Sequence, residues 1–190
     1  MTDLEADFAI GENSPAGAGT RLLRIAERSD ISIASLALRK GGSVPQPFGL
    51  PLPGPGEWAC RDTTGVLWSG PGQWLVLAER HADGELASEL KASCPSCSVT
   101  EQTDGWVVID IECQAGGDMF AEMLARLANT DSDKLSQGRC VRTLLHHLSC
   151  HFVRLGPGRL RILGARSSAG SLWHAIETVA VNLDLRFPAR

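Results

Sequence analysis

Two cysteines separated by Pro-Ser, Cys94 and Cys97, form the most recognisable chemical pattern in this 190-residue chain. A CxxC spacing occurs in zinc ribbons and in thioredoxin-like redox sites. Zinc would need two further ligands at comparable spacing, and the sequence holds no second CxxC. A redox pair gains thiolate character at a helix N-terminus, whereas this pair follows a helix predicted over 85–91. We therefore expect a loop with two incidental cysteines.

Histidines concentrate in the run HHLSCH at 146–151. On a helix, His147 and His151 would share one face at i, i+4, a spacing used by metal ligands. Because residues 152–153 are predicted to lie on a strand, we expect the helix to end between the two histidines. Convergence of His147 and Cys150 with the CxxC pair would make a closed structural metal site. The alternative is a helix end where histidines face the terminal carbonyl groups.

Patterns for nucleophilic catalysis and phosphate binding are missing from the sequence. Ser69 lies in WSGPG at 68–72, which is neither a Gly-x-Ser-x-Gly elbow nor a phosphate loop with Gly-Lys-Ser/Thr. Asp110 and Glu112 would share one face of a strand, and paired carboxylates can do acid–base work. We interpret them as part of a solvated or interface face. The sequence thus predicts no catalytic, cofactor-binding or metal-binding residue on this chain.

Composition excludes several classes of function. Hydrophobic residues make up 43% and charged residues 21% of the chain, as in an ordinary globular domain. A formal net charge of -4 does not favour nucleic acid or an anionic membrane, and no apolar run approaches the roughly 20 residues of a membrane helix. The arginines of the last third are expected to meet acidic groups of a protein partner. They are Arg139, Arg142, Arg154, Arg159 and Arg161.

Both ends of the chain are predicted to be tails. Residues 1–20 are rich in Gly, Ser, Asp and Glu, and we expect them to form a flexible tail; residues 183–190 form the C-terminal one. The first residues lack the basic-then-apolar order of a secretory signal. We therefore expect a cytoplasmic protein whose six cysteines are reduced.

Local patterns predict the elements that must position these residues. Strands are predicted over 31–38 and 106–111, and a hairpin over 66–80. Helical turns are predicted over 21–28. Helices are predicted over 83–90, from Asp118 onward, over 139–147 and over 168–179. The helix from Asp118 is the clearest, because Phe120, Met123, Leu124 and Leu127 fall at i, i+3, i+4 and i+7. Five prolines in 44–56 predict an extended surface connection, which with the N-terminal segment is the candidate partner contact.

A repeat links the two halves of the chain. FVRLGPGRLRILGAR at 152–166 repeats the hairpin VLWSGPGQWLVLAER at 66–80 with an offset of 86. The identical positions are Gly70/Gly156, Pro71/Pro157, Gly72/Gly158, Leu77/Leu163, Arg80/Arg166, Gly84/Gly170 and Leu86/Leu172. The prediction is an α+β domain over 21–182, built as two pseudo-symmetric lobes of mostly antiparallel sheet with packed helices, approximately 21–98 and 99–182.

Four stretches carry a family resemblance: TGVLWSGPGQWLVLA at 64–78, VTEQTDGWVVIDI at 99–111, SQGRCVRTLLHHLSCHFVRL at 136–155 and ARSSAGSLWHAIETV at 165–179. Their order and spacing resemble the gamma subunit of heterotetrameric sarcosine oxidase. The matching motifs are Trp68, Gly70-Pro71, Gly138-Arg139, Arg166-Ser167 and Ser171-Leu172-Trp173. The resemblance implies a fold like the folate-binding domain of the glycine-cleavage aminomethyltransferase, which has internal pseudo-symmetry.

The resemblance also implies a role. It suggests a non-catalytic docking subunit of an enzyme that demethylates sarcosine to glycine, releases hydrogen peroxide and passes the one-carbon unit to tetrahydrofolate. FAD, FMN, NAD and tetrahydrofolate would lie on large alpha-like and FAD-binding beta-like subunits, and none on this chain. Glu101, where the family has aspartate, and Ser-Ser-Ala-Gly at 167–170 depart from the pattern. A gamma-like subunit of another N-methyl amino acid dehydrogenase and a stand-alone folate-binding protein remain open alternatives.

Overall fold

A computed structural model of the chain describes residues 8–10, 18–79, 85–114, 117–128 and 135–186. The strands are β1 (Ala18–Gly19), β2 (Leu23–Glu27), β3 (Ile31–Ala37), β4 (Trp58–Arg61), β5 (Thr64–Gly70), β6 (Gln73–Glu79), β7 (Ser98–Glu101), β8 (Trp106–Cys113), β9 (Cys140–Leu145), β10 (Leu148–Gly156) and β11 (Arg159–Ala165). The helices are α1 (Leu86–Ser93), α2 (Gly117–Leu127) and α3 (Ala169–Arg186). None of these helices is both long enough and apolar enough to cross a membrane.

The chain divides into two compact lobes, each with its own sheet. The first lobe spans 29–106 and carries the sheet β4-β5-β6-β3-β7; the second combines the described parts of 7–28 and 107–190 and carries β1-β2-β8-β11-β10-β9. The predicted α+β class with two antiparallel sheets is confirmed. The boundaries differ from the predicted halves, because β2 pairs with β8 and β7 pairs with β3.

The core of the first lobe lies between its sheet and α1. Leu86 and Leu90 of α1 are buried, as their spacing predicts, against the face that carries Trp74, Val76 and Ala78. Leu75 and Leu77 point to the opposite face and are buried as well. Both faces of the central strands therefore exclude water, which explains why β6 is an unbroken apolar run rather than an alternating one.

The proline-rich connection over 44–56 adopts no strand, as predicted, and contains only a short 3-10 turn at Pro47–Gly49. It is not wholly a surface segment. Leu50 is buried in the core of the first lobe, and the indole Nε1 of Trp74 donates a hydrogen bond to the carbonyl oxygen of Pro53 at 2.8 Å. Part of the connection thus closes the core of its own lobe.

In the second lobe, α2 and α3 pack on the sheet. The predicted stripe of α2, Phe120, Met123, Leu124 and Leu127, is fully buried. From α3 the core receives Leu172, Ile176 and Leu183, among others. This helix continues to Arg186, beyond the predicted end at 179, so residues 183–186 belong to a helix rather than to a tail. Within the predicted N-terminal tail, the amides of Ala9 and Ile10 donate to the Glu27 carboxylate.

Two predicted helices are strands. Residues 21–28 hold β2, which pairs along its length with β8, and residues 139–147 hold β9, which forms a hairpin with β10 through a turn at His146 and His147. His146 adopts a φ of 54°, in the left-handed region that such tight turns use. Short apolar runs satisfy helical and extended periodicity alike. Here pairing with β8 and with β10 makes the two segments extended.

The repeated hairpins have the same register. The pairs Thr64–Ala78, Gly65–Leu77, Val66–Val76, Leu67–Leu75, Trp68–Trp74 and Gly70–Gln73 recur 86 residues later as Cys150–Gly164, His151–Leu163, Phe152–Ile162, Val153–Arg161, Arg154–Leu160 and Gly156–Arg159. Each hairpin has its irregularity at the same place, just before the turn. The repeat therefore extends from sequence to backbone geometry. Of the matched positions, Arg80 and Gly84 lie outside the described residues.

The indole ring of Trp58 lies directly over Gly65 in the neighbouring strand β5. A Cβ at Gly65 would overlap the indole carbon Cη2 of Trp58, whereas one at Gly70, on the same strand, would meet nothing closer than 3.8 Å. Only glycine at position 65 lets the ring reach the strand.

We predict that Gly65→Ala lowers the free energy of unfolding by about 1–3 kcal/mol, because the ring must be displaced. Gly70→Ala should remain within about 0.5 kcal/mol of the wild type. Urea unfolding followed by tryptophan fluorescence measures both. The double variant Trp58→Ala/Gly65→Ala should lose less than the sum of its parts; strict additivity would contradict the contact.

Candidate functional site

The Cys94–Cys97 pair lies at the C-terminal end of α1 in the core of the first lobe. Both side chains are 1% exposed, and the amide of Cys97 donates to the carbonyl of Cys94 at 3.1 Å, which closes a turn. The ammonium group of Lys91 donates to the carbonyl oxygens of Pro95 and Cys97 at 2.9 and 2.7 Å. The Lys91 side chain thus ties the loop after α1 back to the last turn of the helix. This loop is built as a helix terminus with buried thiols.

Burial raises the pKa of three core thiols. For Cys94 burial is the largest cause, a hydrogen bond with Ser93 lowers the pKa in part, and the neighbouring Cys97 raises it by a smaller amount. Burial also raises the pKa of Cys140 to about 12 and that of Cys150 to about 11. A thiol with such a pKa holds little thiolate at neutral pH and is a poor nucleophile and a poor metal ligand. These cysteines act as small apolar core residues.

The histidine run is distributed over a turn and a strand. His147 is exposed in the β9–β10 turn, while His151 is buried in β10 opposite Arg142, so the helical i, i+4 arrangement does not exist. Burial, and secondarily the charge of Arg142, lowers the pKa of His151 to about 4. His151 is therefore neutral at physiological pH. Among the described residues, no three His, Cys, Asp or Glu side chains group as metal ligands.

The densest polar cluster joins β8, β11 and the end of β2 in the second lobe. Asp110 accepts two hydrogen bonds from Arg161, at 2.7 and 2.8 Å, and one from Arg28 at 2.9 Å. Arg161 is only 2% exposed and Asp110 12%. A bidentate pair with this burial is strong only while both partners are present. Because two guanidinium groups hold it, the carboxylate of Asp110 is not placed to act as a free base.

Glu112, two residues further along β8, is in a different situation. It pairs with Arg159 at 3.5 Å, and both side chains are about half exposed. The predicted shared face of Asp110 and Glu112 is thus a row of ion pairs, buried at one end and solvated at the other. Arg159 and Arg161, expected from the sequence to meet a partner, meet these internal carboxylates.

Arg154 is also used within its own lobe. Its guanidinium lies 3.4 Å from the centre of the Phe120 ring, and its Nε donates to the carbonyl oxygen of Gly156 at 2.6 Å. Nη2 donates to the carbonyl of Pro157. The side chain therefore fastens the tip of the β10–β11 hairpin to α2 by hydrogen bonds and a cation–π contact. The sequence offered no local signal for this contact or for the Arg28–Asp110–Arg161 cluster.

Solved structures share this fold. A chain of the heterotetrameric sarcosine oxidase from Corynebacterium sp. U-96 superposes with a TM-score of 0.74 and 23% identity, and the match covers 87% of this chain and 87% of that chain. The glycine cleavage system aminomethyltransferase T from Bartonella henselae superposes with a TM-score of 0.56 and 10% identity over 82% of this chain and 45% of that chain. The predicted aminomethyltransferase-like fold is confirmed. No family model and no curated protein sequence matches the chain.

We predict that Asp110→Asn lowers the free energy of unfolding by about 3 kcal/mol, because Arg161 then keeps a buried charge without a counter-charge. Glu112→Gln makes the same chemical change in the solvated pair and should cost under about 1 kcal/mol. Chemical denaturation of both variants at pH 7 gives the comparison. Equal losses would show that burial does not separate the two ion pairs.

The depressed pKa of His151 predicts a loss of stability in acid. The folded protein keeps this imidazole neutral down to about pH 4, whereas the unfolded chain takes up a proton below about pH 6.5. Unfolding therefore consumes a proton in that window, and falling pH favours it. Between pH 7 and 4.5 we expect His151 to contribute a loss on the order of 2 kcal/mol. His151→Gln should flatten the pH profile of thermal stability, and the exposed control His147→Gln should leave it unchanged.

Proposed function

We propose that this chain is the gamma-like subunit of a heterotetrameric, sarcosine-oxidase-type flavoenzyme and acts there as a non-catalytic docking subunit. The observation that carries the proposal is the match of 87% of this chain to 87% of one chain of such a heterotetramer. Equal coverage means that the matched chain is about as long as this one. This supports a small subunit of the heterotetramer, rather than a domain of a large one, as the counterpart.

The motif order seen in the sequence supports the same assignment. Trp68 and Gly70-Pro71 lie on the first repeated hairpin, Gly138-Arg139 precedes β9, and Ser171-Leu172-Trp173 lies in the first turns of α3. Leu172 and Trp173 are buried in the core of the second lobe. The motifs that suggest the family thus include residues that build the fold, which supports a scaffold role.

The state of the chemically active side chains favours a non-catalytic role. The thiols of Cys140 and Cys150 are protonated, His151 is neutral and buried, and Asp110 is held by two arginines. A general base or nucleophile needs a pKa near the working pH and access to a substrate. Cys140, Cys150 and His151 meet neither condition, and the carboxylate of Asp110 is occupied by Arg28 and Arg161. Their contribution is to stabilise the second lobe.

In this proposal the chemistry belongs to the partner subunits. A large alpha-like chain and an FAD-binding beta-like chain would carry FAD, FMN, NAD and the tetrahydrofolate site. The complex would oxidise sarcosine to glycine with release of hydrogen peroxide and transfer of the one-carbon unit to tetrahydrofolate, in the cytoplasm. This subunit would contribute buried interface area and hold the large chain in its assembled form.

We predict that co-expression with the alpha-like and beta-like chains encoded in the same genome yields a stable complex containing this chain. Size-exclusion chromatography with light scattering measures the assembly, and sarcosine-dependent oxygen uptake measures its activity. Omitting this chain should lower the yield of assembled flavoenzyme, because the large chain then exposes apolar surface.

Two results would contradict the proposal. A monodisperse lone chain that ignores both co-expressed subunits would exclude the docking role. Saturable micromolar quenching of the tryptophan fluorescence of the lone chain by tetrahydrofolate would instead favour the stand-alone folate-binding alternative. The matched control for the titration is the same chain with the oxidised, unreduced folate.

A further inference from the structure

Two of the most exposed aliphatic side chains lie together on α3. Among the described residues, large apolar side chains are exposed at Val44, Leu144, Val181 and Leu185. Val181 (52% exposed) and Leu185 (75%) are separated by four residues, so they occupy one face of the helix. The inner face of α3 is already filled by core residues such as Ile176 and Leu183. Val181 and Leu185 are therefore not part of the packed core of this lobe.

A groove of about 430 Å³ lies beside this pair, between α3 and the strands β1 and β2. Its apolar lining includes Ile25, Ala180 and Val181, and its polar lining includes Thr178 and Asn182. Val181 belongs both to the groove and to the exposed pair, so the two features form one surface. We call this surface, comprising the groove with Val181 and Leu185, the α3 surface.

The charged residues of the α3 surface indicate which kind of partner side chain would bind there. Glu177 is the one carboxylate in the groove lining, which also includes His174 and contains no lysine or arginine among the described residues. Glu177 makes no ion pair or side-chain hydrogen bond within the described part of the chain. By contrast, the nearby Asp184 already accepts a hydrogen bond from the amide of Arg21 at 3.0 Å. An uncompensated carboxylate beside an apolar groove complements an aliphatic side chain that ends in a cation.

We propose that the α3 surface is the docking site of this chain for a partner subunit, and that the partner inserts a lysine or arginine whose stem fills the groove and whose cation meets Glu177. The inference rests on the proposed function, since it names the surface by which the docking subunit would bind. Val181 and Leu185 provide the apolar centre of the interface, and the ion pair with Glu177 orients the partner subunit on it. The sequence had instead indicated the 44–56 connection and the N-terminal segment as the partner contacts.

The experiment uses the full chain and the co-expressed alpha-like and beta-like subunits, with the affinity measured by titration calorimetry. Val181→Asp and Leu185→Asp should each weaken binding about thirtyfold or more, because a charge then enters a desolvated interface. The matched control is Val44→Asp, which alters an equally exposed aliphatic residue in the 44–56 connection. It should bind within threefold of the wild type. Thermal melting verifies that all three variants fold.

The ion pair between Glu177 and the partner's cation is tested separately, by the salt dependence of binding. Glu177→Gln should weaken binding about fivefold at 50 mM salt, Glu177→Lys should weaken it more, and both differences should shrink at 0.5 M salt as the ion pair is screened. A salt-independent effect, or no effect, would overturn the role assigned to the cation. Thr178→Val, in the same groove, serves as the neutral control.

The outcomes separate this inference from the proposed function. If the complex forms and only Val44→Asp weakens it, the connection is the contact and the α3 assignment is wrong, while the docking role stands. If the wild-type chain forms no complex, the docking role fails and the assignment fails with it. A lone chain that dimerises, with loss of the dimer in Val181→Asp, would identify a second copy as the occupant and overturn the partner assignment.

Discussion

The chain enters and leaves the first lobe through two neighbouring strands of the second lobe, β2 and β8. Their pairing joins Leu23–Glu27 to 109–113, and the amide of Arg28 extends it by donating to the carbonyl of Val108 at 2.9 Å. At this point the Arg28 side chain also reaches Asp110, which is held in turn by Arg161 of β11. A loop of about 80 residues must be closed to form these contacts, which costs several kcal/mol of chain entropy. Backbone pairing and the buried ion pairs together offset that cost, so the second lobe depends on these contacts.

The two repeated hairpins show how one backbone plan serves different side-chain uses. At the matched position before the turn, the first hairpin carries Trp68 and the second Arg154. Trp68 packs against the core of the first lobe, whereas Arg154 bonds the turn carbonyls and lies over Phe120. Asp110, Arg154 and Arg161 are likewise engaged in contacts within the second lobe.

How much of this could be read from the sequence depended on whether a segment carries its own structural signal. The stripe of α2 and the apolar face of α1 do carry one, because helical periodicity sets which side of each helix is buried. The strand β3 carries one in its alternation, and β6 and β8 carry one as short, nearly continuous apolar runs. The segments of β2 and β9 do not. RLLRIAER and CVRTLL satisfy a helical stripe as well as an alternating strand, and only their partners β8 and β10 make them extended. The histidine run followed the same error, since the helix predicted to end between His147 and His151 does not form.

The sequence by itself determined the fold class, the repeat at an offset of 86 and the absence of any recognisable catalytic motif, because these depend on residue type and spacing along the chain. The tertiary structure alone decided the exchange of β2 and β7 between the predicted halves, the pairing of Asp110 with Arg161 fifty-one residues away and the exposure of Val181 and Leu185. Each of these depends on which distant surfaces meet. No local pattern encodes that choice, because the free energy of a long-range contact is gained only once the whole lobe has closed around it.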